Sequence, residues 1–412
     1  MPAWHPRQGG KAAVIAILGF TQCLAWGSSY YLLAVLAKPI AADTGWALTL
    51  VVSGLSLGLL VAGFVSPRVG STIERLGGRK VLSFGSAALA LGLACLGIAH
   101  GPLAYFAAWA ILGIGMAAGL YDAAFSSLVG IYGVRAKGLI TNLTLIGGFA
   151  STLAWPFSTL LLESFGWRDT CLVYAGLHAL LGLPMHLLLL PARSALPAAA
   201  KGSEVTAEVE AEAGSVGVLD RRVYLLLVVL LGTMFTLQSS ISSVLSVHLL
   251  TMLQGLGLGL AAAVGYGAMV GPSQVGGRLL QIALGRYFHP VWTAVATSAA
   301  VLIGVALLLF GNAAIIVAAV VCYGAGNGVA TIVRGTLPLH LFGPVGYATL
   351  LGRFAMSNLI AQAFAPAAIA LVLGGPSPRP ALLILVSLAL VNLVLSCALR
   401  LSSPRGKSVT GG

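Results

Sequence analysis

Along the chain, apolar stretches of about twenty residues alternate with short polar links. Each is long enough for a helix to cross the roughly 30 Å hydrocarbon core of a bilayer. The pattern predicts twelve spans, at about residues 12–37, 46–66, 81–99, 103–129, 139–162, 170–190, 223–249, 257–284, 291–311, 313–337, 347–373 and 381–399. The first run is too long for a signal-peptide core and no clear cleavage site follows, so it reads as a retained span. One long polar stretch interrupts the series, at 192–222. It holds Glu204, Glu208, Glu210, Glu212 and Asp220, half of the ten acids in the protein. Rich in Ala, Gly and Glu, it reads as a flexible linker. The predicted organisation is a bundle at 1–191, the linker, a second bundle at 223–400 and a tail at 401–412. The expected fold is an all-α polytopic membrane protein, with twelve transmembrane helices in two six-helix bundles.

An internal repeat supports two related halves. GIGMAAGLYDA (113–123) matches GAGNGVATIVR (324–334), 211 positions on. Gly133 to Pro156 aligns with Gly343 to Pro366 at an offset of 210, and AVLAKPI (34–40) with SVLSVHL (243–249) at 209. Duplicated halves with polar groups on facing helices are expected of a secondary transporter. Composition agrees, since only 8% of residues are charged and 58% are hydrophobic, whereas soluble chains carry about a quarter charged. The net charge of +12 lies in short links rather than in a basic arm, which excludes a nucleic-acid binder. Sixteen of the 22 Lys and Arg residues fall on one side if both termini are cytoplasmic, as the positive-inside rule requires. Five scattered cysteines with no CxxC predict neither a disulfide framework nor a metal site.

The link between spans two and three reads GSTIERLGGRK, residues 70–80, with four charges in eleven positions. Gly70, Glu74, Arg75, Gly78, Arg79 and Lys80 resemble the signature loop of the major facilitator superfamily, which carries Asp where this chain has Glu74. With twelve spans and a central linker, the resemblance covers nearly the whole chain. It implies that this cluster latches one conformation of an alternating-access cycle, and that spans 1, 4, 7 and 10 line a central cavity. Physically, Glu74 is suited to accept from Arg75, Arg79 or a facing helix N-terminus.

An ionisable group deep in a bilayer is costly, so each is a functional candidate. Nine of the ten acids lie in links or at span ends; the exception is Asp122. Thirteen residues before Arg135, it lies about 20 Å along a helix from the next link. Its counterpart in the repeat falls one residue from Arg334. The two are expected to face each other, as a charge pair or as a proton site opposite an anion anchor. Trp26 and Tyr30 share a face with Gln22, and Gln238 and Asn327 lie on the polar stripes of spans seven and ten; these four are candidate substrate contacts.

On span eight, Gln274-x-x-x-Arg278 resembles the Asp-x-x-x-Arg of monocarboxylate transporters and the span-eight arginine of oxalate/formate antiporters. Gly45-Trp46 and Gly166-Trp167-Arg168 are similar to the same branch. Asn358 stands where the antiporters have a lysine. Arg278 is placed either in the cavity or at the cytoplasmic rim. The resemblance, with Arg334 and Arg278 in an acid-poor interior, points to a small organic anion such as a monocarboxylate. A desolvated Asp122 is suited to carry protons, and two halves in one chain need no partner, so a monomer in the inner (plasma) membrane is expected. Drug or toxicant export is the alternative, although Asn142, Ser151 and Trp155 occupy the glycine positions of that group's span-five motif. No cofactor, metal or catalytic constellation is expected, and a membrane-embedded enzyme or sensor is the alternative from a different class. His178 and His186, eight residues apart, read as packing residues.

Overall fold

The computed structural model describes residues 8–191, 220–285, 289–373 and 377–402. Most of the linker (192–219) and the tail from 403 lie outside the described residues. The apolar runs are helices, several of them divided. The first comprises α1 (Gln8–Ser28) and α2 (Leu32–Thr44); then come α3 (Leu48–Leu76) and α4 (Gly78–Gly97). The fourth run is split into α5 (Pro102–Gly119) and α6 (Tyr121–Tyr132), followed by α7 (Ala136–Gly147) and α8 (Ala150–Leu177). Beyond the linker lie α9 (Arg221–Gly255), α10 (Leu260–Ala268), α11 (Val270–Leu284), α12 (Pro290–Leu307), α13 (Ala313–Phe342), α14 (Tyr347–Leu373) and α15 (Arg379–Ser402). Among the described residues, nine segments are long and apolar enough to cross a membrane; one, Pro102–Leu189, contains the predicted fourth, fifth and sixth spans. The eighth run is absent from that set because it divides at Met269 into helices of 9 and 15 residues.

Each division has a local cause. After Ser28 the chain turns, and the Tyr31 N–H donates to the Trp26 carbonyl, five residues back, at 3.0 Å. This wide turn adds a residue to the winding, a device common at functional sites. In the fourth run Leu120 is extended (φ −86°, ψ −171°). The Gly119 carbonyl, released from the helix ladder, accepts instead from Gln22 Nε2 at 2.7 Å. The repeat is visible in the backbone too. Gly133 and Gly343, paired in the sequence alignment, both end a helix at positive φ (58° and 74°). Pro156 and Pro366, the far ends of that alignment, both sit inside helices.

Four apolar cores hold the helices. Two are built wholly from residues after the linker, around Ile241, Val301 and Leu385, and around Leu227, Val333 and Phe354. A third, around Trp109 and Leu36, belongs to the first half apart from Ala363. The fourth joins the halves, since Phe125, Leu128 and Ile140 pack in one cluster with Leu339, Tyr347 and Leu351. These joining residues lie toward the end of the molecule that carries Glu74, where the halves are in contact. His178 and His186 bind α1 and α4 from within. His178 Nε2 pairs with Ser28 Oγ (2.8 Å), and His186 with Thr21 Oγ1 and Ser86 Oγ (both 2.9 Å).

The charged loop sits on the α3–α14 seam. Small residues let these helices touch along much of their length; a Cβ at Gly63 would stand 3.2 Å from the Met356 carbonyl, and one at Gly70 would overlap the Ala348 carbonyl. This contact carries Glu74 to the start of α14, where Oε1 accepts from the Gly346 N–H at 3.2 Å. A carboxylate at a helix N-terminus is favoured by the dipole and the unpaired N–H groups there. Gly78 packs against Ser127, Arg79 is half-buried, and Arg75 and Lys80 are exposed. A Gly70→Leu exchange is expected to wedge α3 off α14 at this end. Spin labels at the exposed positions Leu76 and Val345, in a cysteine-free background, should then move apart by several ångströms. An unchanged distance would show that the seam does not depend on this contact.

Candidate functional site

Between the halves, toward mid-helix, the structure brings together three groups. The first is an ion pair. The break at Leu120 places Asp122 in the first turn of α6, where the helix dipole favours a carboxylate. Arg334 of α13 donates to Asp122 Oδ2 through Nη2, so the two residues form a charge pair across the halves. Each side chain keeps about 20% of its surface exposed, and Asp122 Oδ1 and Arg334 Nε have no protein partner. Arg334 is therefore neutralised by Asp122, which leaves the role of an unpaired cation to another residue.

That residue is Arg278 of α11. It is only 4% exposed, and among the described residues no carboxylate pairs with it. Nε donates to the Gly328 carbonyl of α13 at 3.1 Å, while Nη1 is buried without a partner. Of the two sequence placements, the interior one is observed. The guanidinium crosses to the first half, where it lies against Gly148, and the hydroxyl of Tyr121 lies against Gly147. A methyl group at either glycine would overlap these atoms, so the bare backbone of α7 is what admits them.

Third, an aromatic cluster begins at Tyr121, whose hydroxyl lies one residue from the Arg278 guanidinium along α7. Trp26 lies 5.3 Å from Tyr30, 5.9 Å from Tyr31 and 5.2 Å from Tyr121, centroid to centroid. Tyr31 meets Trp155 edge-on at 6.3 Å. Trp26 Nε1 is buried without a partner.

The remaining candidates are tied up in the second half. Gln238 Nε2 donates to Asn327 Oδ1 (3.4 Å), and Asn392 Nδ2 donates to Gln238 Oε1 (3.2 Å). Asn358 is fully buried and Oδ1 accepts from Thr236 Oγ1 at 3.2 Å, leaving Nδ2 without a partner. Thus Asp122, Arg334, Arg278, Trp26 and Tyr30 gather where the halves meet, whereas Gln238, Asn327 and Asn358 form hydrogen bonds within the second half. Sequence reasoning missed Tyr31, Tyr121, Trp155 and Asn392. Helical phase puts Tyr31 off the Trp26 face; only the wide turn after Ser28 brings it back. Tyr121 had a signal, its place beside the one deep acid. Also unforeseen is a bridge at the Glu74 end, where Lys137 Nζ lies 3.2 Å from His340 Nδ1 and His340 Nε2 lies 3.0 Å from His289 Nε2.

A helical membrane protein with related halves and charges between them has the form of a transporter, and the comparisons agree. The sequence profile of the Major Facilitator Superfamily matches residues 17–349, and the chain belongs to that family. Human monocarboxylate transporter 6 is 30% identical over 119 residues, which is 28% of this chain and 23% of that protein. The chain thus spans about a quarter of that relative's length. Solved structures of similar fold include a proton:xylose symporter (TM-score 0.73, 12% identity, 95% of this chain and 96% of that one). The human organic anion transporter MFSD10 gives 0.69 at 17% identity, covering 94% and 99%. The E. coli fucose:proton symporter gives 0.68 at 15% identity, covering 95% and 98%. The chain is therefore a multi-pass membrane protein of the Major Facilitator Superfamily.

Proposed function

We propose that this transporter carries a small organic anion with a carboxylate group, coupled to protons, across the plasma membrane. The observation that carries the reading is Arg278, a buried guanidinium with an unpartnered Nη1 and no carboxylate beside it. An unpaired charge is costly in a low-dielectric interior, and an arriving carboxylate offsets that cost with a charge-assisted hydrogen bond. Monocarboxylate transporter 6 and the organic anion transporter among the relatives support the same cargo class.

The mechanism follows from how the charges are distributed. With both termini cytoplasmic, as the positive charges require, the Glu74 end, where the halves are in contact, faces the cytoplasm, and the opposite end, with Asp43 in the last turn of α2, faces outward. The anion enters from outside and neutralises Arg278. Protonation of Asp122 releases Arg334, which loosens the ion pair between α6 and α13. The Glu74–Gly346 contact must then part for the cytoplasmic end to open. Two six-helix bundles, 1–191 and 223–400, rock about the site, and a monomer suffices for the cycle.

The test is internal pH in sealed proteoliposomes while carboxylates, sugars, cations and drugs are added outside. A pH change with carboxylates, lost in Asp122→Asn, is the expected result. A response to sugars or cations alone, unaffected by Arg278→Gln, would overturn the anion reading.

A further inference from the structure

Resting on the carboxylate reading, we infer that the cargo carries its charge on a flat aromatic ring, seated by the rings of Trp26, Tyr31 and Tyr121 beside Arg278. The groups close to the guanidinium decide this. From the first half it lies against the bare backbone of Gly148, next to Gly147, which holds the Tyr121 hydroxyl. The amide groups of Gln238, Asn327 and Asn392, which would recognise a polyol, are hydrogen-bonded to one another. Ring surface continues from Tyr121 to Trp26, whose buried indole N–H has no protein partner. That donor suits an oxygen or nitrogen substituent on the ring.

The rings also continue toward open space. An open depression of about 530 Å³ lies along one face of α8 from Ser151 to Glu163, with Trp155 in its wall. Its lining mixes Ser151, Thr152, Thr159 and Glu163 with Trp155, Pro156 and Leu160. Trp155 is 46% exposed and touches Tyr31, which touches Trp26, which touches Tyr121. An exposed indole at the head of this series gives an arylcarboxylate ring contacts from the depression to the anchor. Edge-to-face and offset contacts favour a planar π ring over a saturated ring of the same size.

The test is calorimetric titration of the full-length protein in detergent with benzoate, cyclohexanecarboxylate and acetate. Benzoate is expected to bind about ten-fold tighter than cyclohexanecarboxylate, the scale of one to two favourable ring contacts. Trp26→Leu should erase that ratio, whereas Trp26→Phe, which keeps a ring and reports on folding, should retain most of it. Arg278→Gln should remove binding of all three. Equal affinities for the two cyclic acids, or a ratio indifferent to Trp26→Leu, overturn the aromatic inference while leaving the carboxylate reading intact. If no carboxylate binds, or if Arg278→Gln changes nothing, the carboxylate reading itself fails and this inference with it.

Discussion

Arg278→Gln is expected to weaken carboxylate binding at least a hundred-fold and, in the same protein, to raise thermal stability. The two effects share one cause. The guanidinium is buried with a single backbone partner and an idle Nη1, so the empty protein bears the cost of an uncompensated charge. Losing a buried charge pair at a binding site typically costs about 2–5 kcal/mol, and a hundred-fold change corresponds to about 2.8 kcal/mol. Glutamine keeps one amide donor for the Gly328 carbonyl and removes the charge. A structural arginine would behave in the opposite way, with its replacement lowering the melting temperature. Binding by calorimetry and unfolding by thermal scan on the same sample separate the cases. A variant that binds normally, or melts earlier while binding is merely reduced in proportion, contradicts the anchor role. Arg278→Lys should recover only part of the binding, because a lysine lacks the planar fork that matches a carboxylate.

The second large effect concerns the ion pair. Asp122→Asn leaves Arg334 without its countercharge, and breaking a buried pair by removing one partner costs about 3–5 kcal/mol. Here each side chain is about 20% exposed, so a destabilisation of about 2–3 kcal/mol is expected. The double exchange Asp122→Asn with Arg334→Gln should recover most of this, since no orphan charge remains. Thermal unfolding of the single and double variants checks the cycle. The transport consequence is separate. Both the single and the double variant lack the Asp122 carboxyl that would carry the proton, so the internal pH signal should vanish in both. Should the double variant still acidify proteoliposomes, the proton travels elsewhere. Should the single variant be as stable as the parent, the pair contributes nothing to holding the halves together.

Much of this protein is determined by its sequence. Runs of twenty apolar residues must be helices in lipid, because only internal hydrogen bonding satisfies the backbone there. The acid count isolates Asp122, the repeat points to Arg334 as its opposite number, and GSTIERLGGRK stands out as a charged link that resembles a family's latch loop; that it seats on α14 comes from the structure. What tertiary structure alone decides is which charges neutralise each other. Asp122 and Arg334 meet across 212 positions, and only that contact shows that Arg278 is, among the described residues, the buried arginine with no acid paired to it. The ring cluster was illegible for a different reason. Helical periodicity assumes an unbroken helix, and the wide turn at Ser28–Tyr31 and the extended Leu120 rotate Tyr31 and Tyr121 onto Trp26 from phases that sequence spacing places elsewhere. Those breaks are held by partners distant in sequence, such as Gln22 on the Gly119 carbonyl, so local pattern could not announce them.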